Sequence, residues 1–455
     1  MANIAAWGRE RLNSSPLYHR WQTSFVRRWL GRLRAGCQLH RFALMVLLVL
    51  AYRLMLDLLY MKVISPLYDY SGFTPNFHLL FYGCTLLALL VFSPAVVRLL
   101  DEGMPSANLV TFLNYIYFIP LTSYCGCNWP GMAFFLTGMA YWCVLLSLQF
   151  YLPVLRLKPL GGSRKRMIYL VLTVLAVAVV MYISGRYAGF RFTFDITNVY
   201  DIRAEAAAYS IPRLLSYALS MAGSVLAILL LYWLCRRKYA VCAGLVAVYM
   251  FLFSIAAHKS LFFFLLLLLA GYLLFRPWMR RWLPVLASVA ALTAMLEYYA
   301  IHSLYIVSLF FRRVMYVPVN LSKRYIDFFR ENPLSLFRSG ILRHFFFSNN
   351  YSTGIAPLLG EVGGAFNNAN NGLLGDMFAN IPTPLGIFIM PLVVVICFRL
   401  LDAVTDKLPE KLVIPICVYF AISFSNTSWS TVLLSHGFLI TCLLLYVFPI
   451  EEGMS

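Results

Sequence analysis

Between Ser184 and Pro212 the chain reads SGRYAGFRFTFDITNVYDIRAEAAAYSIP, a polar stretch flanked by two strongly apolar runs. Arg186, Arg191, Arg203 and the following Arg213 stand beside Asp195, Asp201 and Glu205, interleaved with Tyr187, Phe190, Tyr200 and Tyr209. Guanidinium forks match phosphate oxygens in pairs, so this mixture suits an anionic, sugar-bearing ligand. Further along the chain come His258 and Lys259, then Arg312, Arg313 and Arg324, then Asn370, Asn371 and Asp376 within GEVGGAFNNANNGLLGDMFANIPTPLG. Several of Arg191, Arg203, Arg213, Lys259, Arg312, Arg313 and Arg324 could together neutralise a diphosphate without a metal ion, while the amides of Asn370 and Asn371 suit sugar hydroxyls or turns.

A base for an attacking hydroxyl would come from the same stretches. Asp201 is the first candidate because it stands beside Arg203, with Glu205, Asp376 and His258 behind it. There is no P-loop, Rossmann fingerprint, HExxH, GxSxG or paired CxxC, and the histidines are scattered without metal-ligand spacing, so neither a metal nor a cofactor is expected. Most cysteines are isolated in apolar runs, and the CGC of Cys125 and Cys127 lacks the spacing of a zinc site.

Composition sets the medium in which this chemistry must work. Of 455 residues, 61% are hydrophobic and 12% charged, and mean hydropathy is +0.76, which marks an integral membrane protein with no large soluble domain. Apolar runs close to the ~20 residues that a spanning helix needs recur along the whole chain. The net charge of +19 falls mainly in short loops between those runs. That is the signature of cytoplasmic loops, not of a nucleic-acid partner.

The predicted architecture is all-α and polytopic, with about twelve transmembrane helices near 42–61, 78–97, 109–124, 131–152, 167–184, 212–235, 239–257, 260–275, 283–303, 384–401, 412–427 and 431–449. Residues 1–41 form a cytoplasmic basic amphipathic segment, with Trp21, Phe25, Trp29 and Leu33 in one stripe among arginines, suited to lie on membrane lipids. Residues 42–450 make a single transmembrane domain with periplasmic loops 185–211 and 304–383, and 451–455 a cytoplasmic tail. The start MANIAAWGRERLNSSP is too polar for a signal peptide and is expected to stay in the cytoplasm.

Threading from that start puts Arg156, Lys158, Arg164, Lys165, Arg166, Arg236, Arg237, Lys238, Arg276, Arg280 and Arg281 inside, and the Lys- and Arg-free loops 65–77, 125–130 and 428–430 outside. The polar stretch, the turn at His258–Ser260 and the loop 304–383 are outward yet basic, so their charge points to a ligand. His258 and Lys259 are expected in a tight hairpin. PVNLSKRYIDFFRENP reads as a short helix on the outer leaflet. Arg53 and Asp57 read as an intrahelical pair facing the bundle, and Glu297 as buried, with Lys259 or an arginine as partner.

FTFDITNVYDIRAE, KSLFFF, RRVMYVPVNLSKRYIDFFRENP and NNANNGLLGDMFANIPTPLGIF, in this order, resemble patches of bacterial O-antigen polymerases of the Wzy type and related oligosaccharide repeat unit polymerases. The resemblance covers most of the membrane region in layout and these outward patches in motif. It implies a GT-C-like or O-antigen ligase-like helical fold in the inner membrane, both termini cytoplasmic, and a periplasmic glycosyltransferase site. Undecaprenyl-pyrophosphate-linked oligosaccharide would be both donor and acceptor, with no nucleotide sugar, and a chain-length regulator and a flippase are candidate partners. It places diphosphate binding on Arg203, Lys259, Arg312 and Arg313, and by extension on Arg191 and Arg324. An O-antigen ligase using lipid A core as acceptor, and a lipid-linked oligosaccharide flippase or other transporter, are the alternative readings.

Overall fold

A backbone placed in hydrocarbon must satisfy its own polar groups, and helices do so without help from neighbours. The structure is a computed structural model that describes residues 39–158, 160–192, 205–206, 209–256, 259–338, 351, 353–362, 368–405 and 408–449. Helix is its only regular element of any length, beside one isolated bridge between Asn76 and Asn128. The helices are α1 (Leu39–Leu59), α2 (Leu79–Leu99), α3 (Pro105–Leu113) joined by a π turn to α4 (Ile119–Cys127), α5 (Met132–Tyr151), α6 (Gly162–Ala188), α7 (Arg213–Cys235), α8 (Tyr239–Ala256), α9 (Lys259–Leu274) and α10 (Leu283–Leu296). A π-helical segment, Val307–Tyr316, leads into α11 (Val317–Glu331). After it come α12 (Ile355–Val362), α13 (Leu373–Asn380), α14 (Thr383–Thr405), α15 (Glu410–Asn426), α16 (Trp429–Leu434) and α17 (Phe438–Val447). Eight helical stretches are long and apolar enough to cross a membrane, and α8 and α9 are shorter apolar helices.

The helices run back and forth between two ends. At one, Arg41 and Arg281 both meet Asp101 at 3.5 Å, and Arg280 pairs with Glu410. The Tyr232 hydroxyl and Arg236 donate to the Pro449 carbonyl at the same end. At the other, Asn76 N–H donates to Cys127 O, Trp129 N–H donates to Asn76 O, and α11 grips the turn that follows α1. The predicted inner loops belong to the first end. Every described candidate residue belongs to the second.

Against about twelve predicted spans, eight stretches of spanning length are present among the described residues, and two of the apolar runs take a course that differs from expectation. The first runs on from α1 through a π turn, Tyr60–Ile64, and a helical turn, Ser65–Tyr68, to Ser71. Pro66 sits at the start of that last helical turn, where a missing N–H costs little. The last span is broken between α16 and α17, because Gly437 takes a left-handed φ of +75°. The Ser224 hydroxyl donates to the freed His436 carbonyl at 3.1 Å, and Tyr419 meets His436 Nδ1 at 3.2 Å.

The Arg53–Asp57 pair faces the bundle as expected. Arg53 donates to the Thr122 hydroxyl (2.9 Å), the Thr122 carbonyl (2.6 Å) and the Thr85 hydroxyl (3.3 Å) while pairing with Asp57. Asp57 also accepts from Ser123 (2.6 Å), Tyr82 (2.9 Å) and, at 3.5 Å, the Cys127 thiol. A Cβ on Gly126 would lie 2.6 Å from Arg53 Nη2, so bare backbone is what admits the guanidinium. Cys125 and Cys127 are both free and buried. Glu297 is buried too, and among the described residues its partners are the Ser303 hydroxyl and the Tyr305 and Ile306 amides, all at 2.8 Å, with no described arginine in ion-pair distance; the side chain of Lys259, the other expected partner, lies outside the described residues. The chain turns back within ten residues of Glu297, and the exposed amides of the new helix reach the carboxylate first.

Candidate functional site

The described candidates fall into three groups at the second end of the bundle. In the first, Arg191 follows the C-terminus of α6, which Gly189 closes in the left-handed conformation. Its guanidinium pairs with Glu205 and donates to the Ser254 carbonyl of α8 at 3.0 Å, while the Tyr209 hydroxyl donates to Glu205 at 3.1 Å. The Arg191 hydrogen bond, followed by that from Tyr209, holds the Glu205 carboxyl below its ordinary value. The two charges thus answer each other, and Arg191 ties the end of α6 to α8 through the Ser254 carbonyl. Neither the cationic role expected of Arg191 nor the basic role expected of Glu205 is left uncommitted. The shared partner is invisible in sequence because fourteen residues, mostly outside the described part, separate them.

The second group is built on the π segment and α11. Its stripe of Arg312, Tyr316, Asn320 and Arg324 faces α4 and the extension of α1. Arg312 lies over the Tyr68 ring at 4.2 Å, a cation held by the negative face of an aromatic ring. Its Nε is buried without a hydrogen-bond partner, and among the described residues no carboxylate lies within ion-pair distance of it. Arg313 beside it is exposed. Arg324 donates to the Ser71 carbonyl at 2.8 Å, as does the Asn320 amide at 2.9 Å, and the Tyr124 hydroxyl donates to Asn320 Oδ1 at 3.0 Å. Asn128 Nδ2 donates to the carbonyl of Gly72, which has a φ of +88°. These bonds fix the Tyr68–Gly72 turn under Arg312. Tyr68, Asn320 and Tyr316 escaped sequence reasoning, although the four-residue spacing of 312, 316, 320 and 324 marks their face.

The predicted outer-leaflet helix is present as α11, but it is docked on protein. Pro318, Val319, Asn320, Ser322, Tyr325 and Ile326 are buried, much of that surface against α13. The third group forms this contact. Asn371 donates to the Ser322 hydroxyl at 2.9 Å, which meets the Tyr117 hydroxyl at 2.8 Å. Asn370 is exposed. Asp376 is buried, accepting from Asn380 (2.9 Å) and from the Trp429 amide that opens α16 (2.8 Å). Burial pushes its carboxyl up to about 7 against the lowering effect of those two donors. Asn371 and Asp376 therefore serve as struts between α11, α13 and α16, and Asn370 is the one of the three turned to the surface.

Tyr200, Asp201, Arg203 and His258 lie outside the described residues, as does the side chain of Lys259, whose backbone opens α9. Among the described residues no three of His, Cys, Asp and Glu gather as metal ligands. What the site can do chemically rests on Arg312: a half-buried planar cation on an aromatic floor and, among the described residues, unpaired with any carboxylate, with exposed Arg313 next to it in the chain and Arg324 bonded to the same turn that carries Tyr68. No protein-family model, curated protein or solved structure matches this chain.

Proposed function

We propose that this membrane protein is a lipid-diphosphate-dependent glycosyltransferase of the bacterial inner membrane. In this reading it joins undecaprenyl-pyrophosphate-linked oligosaccharide repeat units into a surface polysaccharide at its periplasmic face. The observation that carries the reading is Arg312, a cation without a carboxylate partner among the described residues, at the end of the bundle opposite the basic inner loops. Ordered sequence patches resembling Wzy-type polymerases support it.

The chemistry follows from where charge develops. The acceptor hydroxyl oxygen attacks the anomeric carbon, the bond from that carbon to the diphosphate oxygen breaks, and the electron pair leaves on the lipid diphosphate. A guanidinium aimed at that group stabilises the departing charge more than the bound ester. The hydroxyl proton passes to a base, for which Asp201 is the first candidate because Arg191 and Tyr209 already hold Glu205.

Purified protein given a synthetic polyprenyl-diphosphate oligosaccharide, with no metal or nucleotide sugar added, should extend it into a ladder. Product only upon addition of lipid A core would make it a ligase. Translocation without a new glycosidic bond would make it a transporter.

A further inference from the structure

We infer that the Tyr316 hydroxyl is the positioning device that sets the Arg312 guanidinium on Tyr68, acting through a chain of hydrogen bonds that ends at the buried Asp57. Its consequence for ligand binding rests on the reading of Arg312 given above. The geometric part does not.

Ten consecutive π-helical residues, Val307–Tyr316, are unusual, because π geometry is seldom held for more than one turn. A segment wound this way needs outside contacts to fix where its side chains point. Those contacts concentrate on its last turn. The Tyr316 oxygen lies 3.0 Å from the Leu56 carbonyl and 2.9 Å from the Ser123 hydroxyl, its one proton shared between these two acceptors, and Ser123 donates its own to Asp57 at 2.6 Å. The ring of Tyr316 lies 5.3 Å from that of Tyr60, and the Tyr52 hydroxyl, which donates to the Tyr115 carbonyl at 2.9 Å, lies 3.6 Å from the sulfur of Met315.

Leu56, Asp57 and Tyr60 belong to the same continuous helix that carries Tyr68. One element therefore supplies both the anchor for the π segment and the floor for Arg312, which stands one π turn before Tyr316. Moving the anchor moves the guanidinium relative to its floor. Tyr316 is fully buried, so its hydroxyl influences a ligand only through what it positions.

The test uses Tyr316→Phe, which keeps the ring and removes the hydroxyl, with Ser123→Ala as a second break in the same chain. Phenylglyoxal modification of the native arginines, resolved by peptide mass spectrometry in detergent-solubilised full-length protein, needs no substrate. In the wild type Arg312 should react more slowly than exposed Arg313. Either variant should accelerate Arg312 about fivefold, the change expected from one lost buried hydrogen bond, while Arg313 and Arg324 hold their rates. An unchanged Arg312 rate overturns the inference, as does an equal acceleration at all three, which would mean general loosening.

The second readout is binding of a polyprenyl diphosphate in lipid nanodiscs. Tyr316→Phe should weaken it about fivefold in the wild-type background and leave it unchanged when Arg312→Ala is already present, because the hydroxyl acts through that guanidinium. Equal weakening in both backgrounds overturns the positioning role. If the wild type fails to bind the diphosphate, the functional reading of Arg312 falls, and the phenylglyoxal rates still decide the positioning.

Discussion

Arg191 and Arg312 stand at the same end of the bundle, each half-buried, and the sequence offered both as cations for an anionic ligand. Their surroundings separate them. Arg191 meets a carboxylate and a helix-terminal carbonyl, so its charge is answered within the protein. Arg312 meets an aromatic face and keeps a buried donor without a partner. A neutralised guanidinium has little left to offer a phosphate, whereas one held on a ring keeps both its charge and its fork. Position along the chain nominated both arginines, Arg312 ahead of Arg191. Local partners distinguish a satisfied cation from a candidate ligand-binding one.

The largest effect that could break this comparison is at Arg312 itself. Arg312→Ala should weaken polyprenyl diphosphate binding by roughly thirtyfold or more, the range of a lost charge-assisted contact, measured by titration in nanodiscs. Arg312→Lys should recover only part of this, because an ammonium lacks the planar fork. Stability should give the two sides opposite pH responses. On the Arg312 side, Asp376 holds its proton more tightly folded than unfolded, so its contribution is present at low pH and is lost as pH rises from 3.8 toward about 7. Asp376→Asn should flatten that slope in thermal unfolding across the same window.

A smaller effect is expected at the aromatic floor. Tyr68→Ala should cost about fivefold in the same binding titration and Tyr68→Phe very little, since the ring face rather than the hydroxyl holds Arg312. Smallest is the effect of Arg191→Ala on binding, less than about threefold, because its charge is already paired. Its signature is instead in acid. Glu205 is held below its ordinary value of 4.5, so its stabilisation is present above that value and lost as pH falls through the lowered one. Arg191→Ala should make the unfolding temperature less sensitive to acid below about pH 4.5. Unchanged acid sensitivity would mean that the Arg191–Glu205 pair does not form in solution.

Much of this was legible in the chain. Apolar runs announced the helices, and the four-residue spacing of Arg53 and Asp57 announced their pairing. The positive-inside pattern by itself marked Arg312 and Arg313 as anomalous. Tyr68 was hidden because the first span outlasts its apolar run by a π turn and one helical turn, carrying a predicted loop residue up beneath the π segment. The Arg191–Glu205 pair and the amides around Glu297 depend on the chain returning upon itself, which no local period records. The broken final helix turns on the single residue Gly437, whose left-handed backbone interrupts an otherwise continuous apolar run.

The central claim is that Arg312, and not Arg191, receives the lipid diphosphate. The direct measurement is titration of a polyprenyl diphosphate onto wild-type, Arg312→Ala and Arg191→Ala proteins in nanodiscs of one lipid composition. Arg312→Ala should lose most of the affinity while Arg191→Ala stays close to wild type. Binding retained by Arg312→Ala and lost by Arg191→Ala would contradict it.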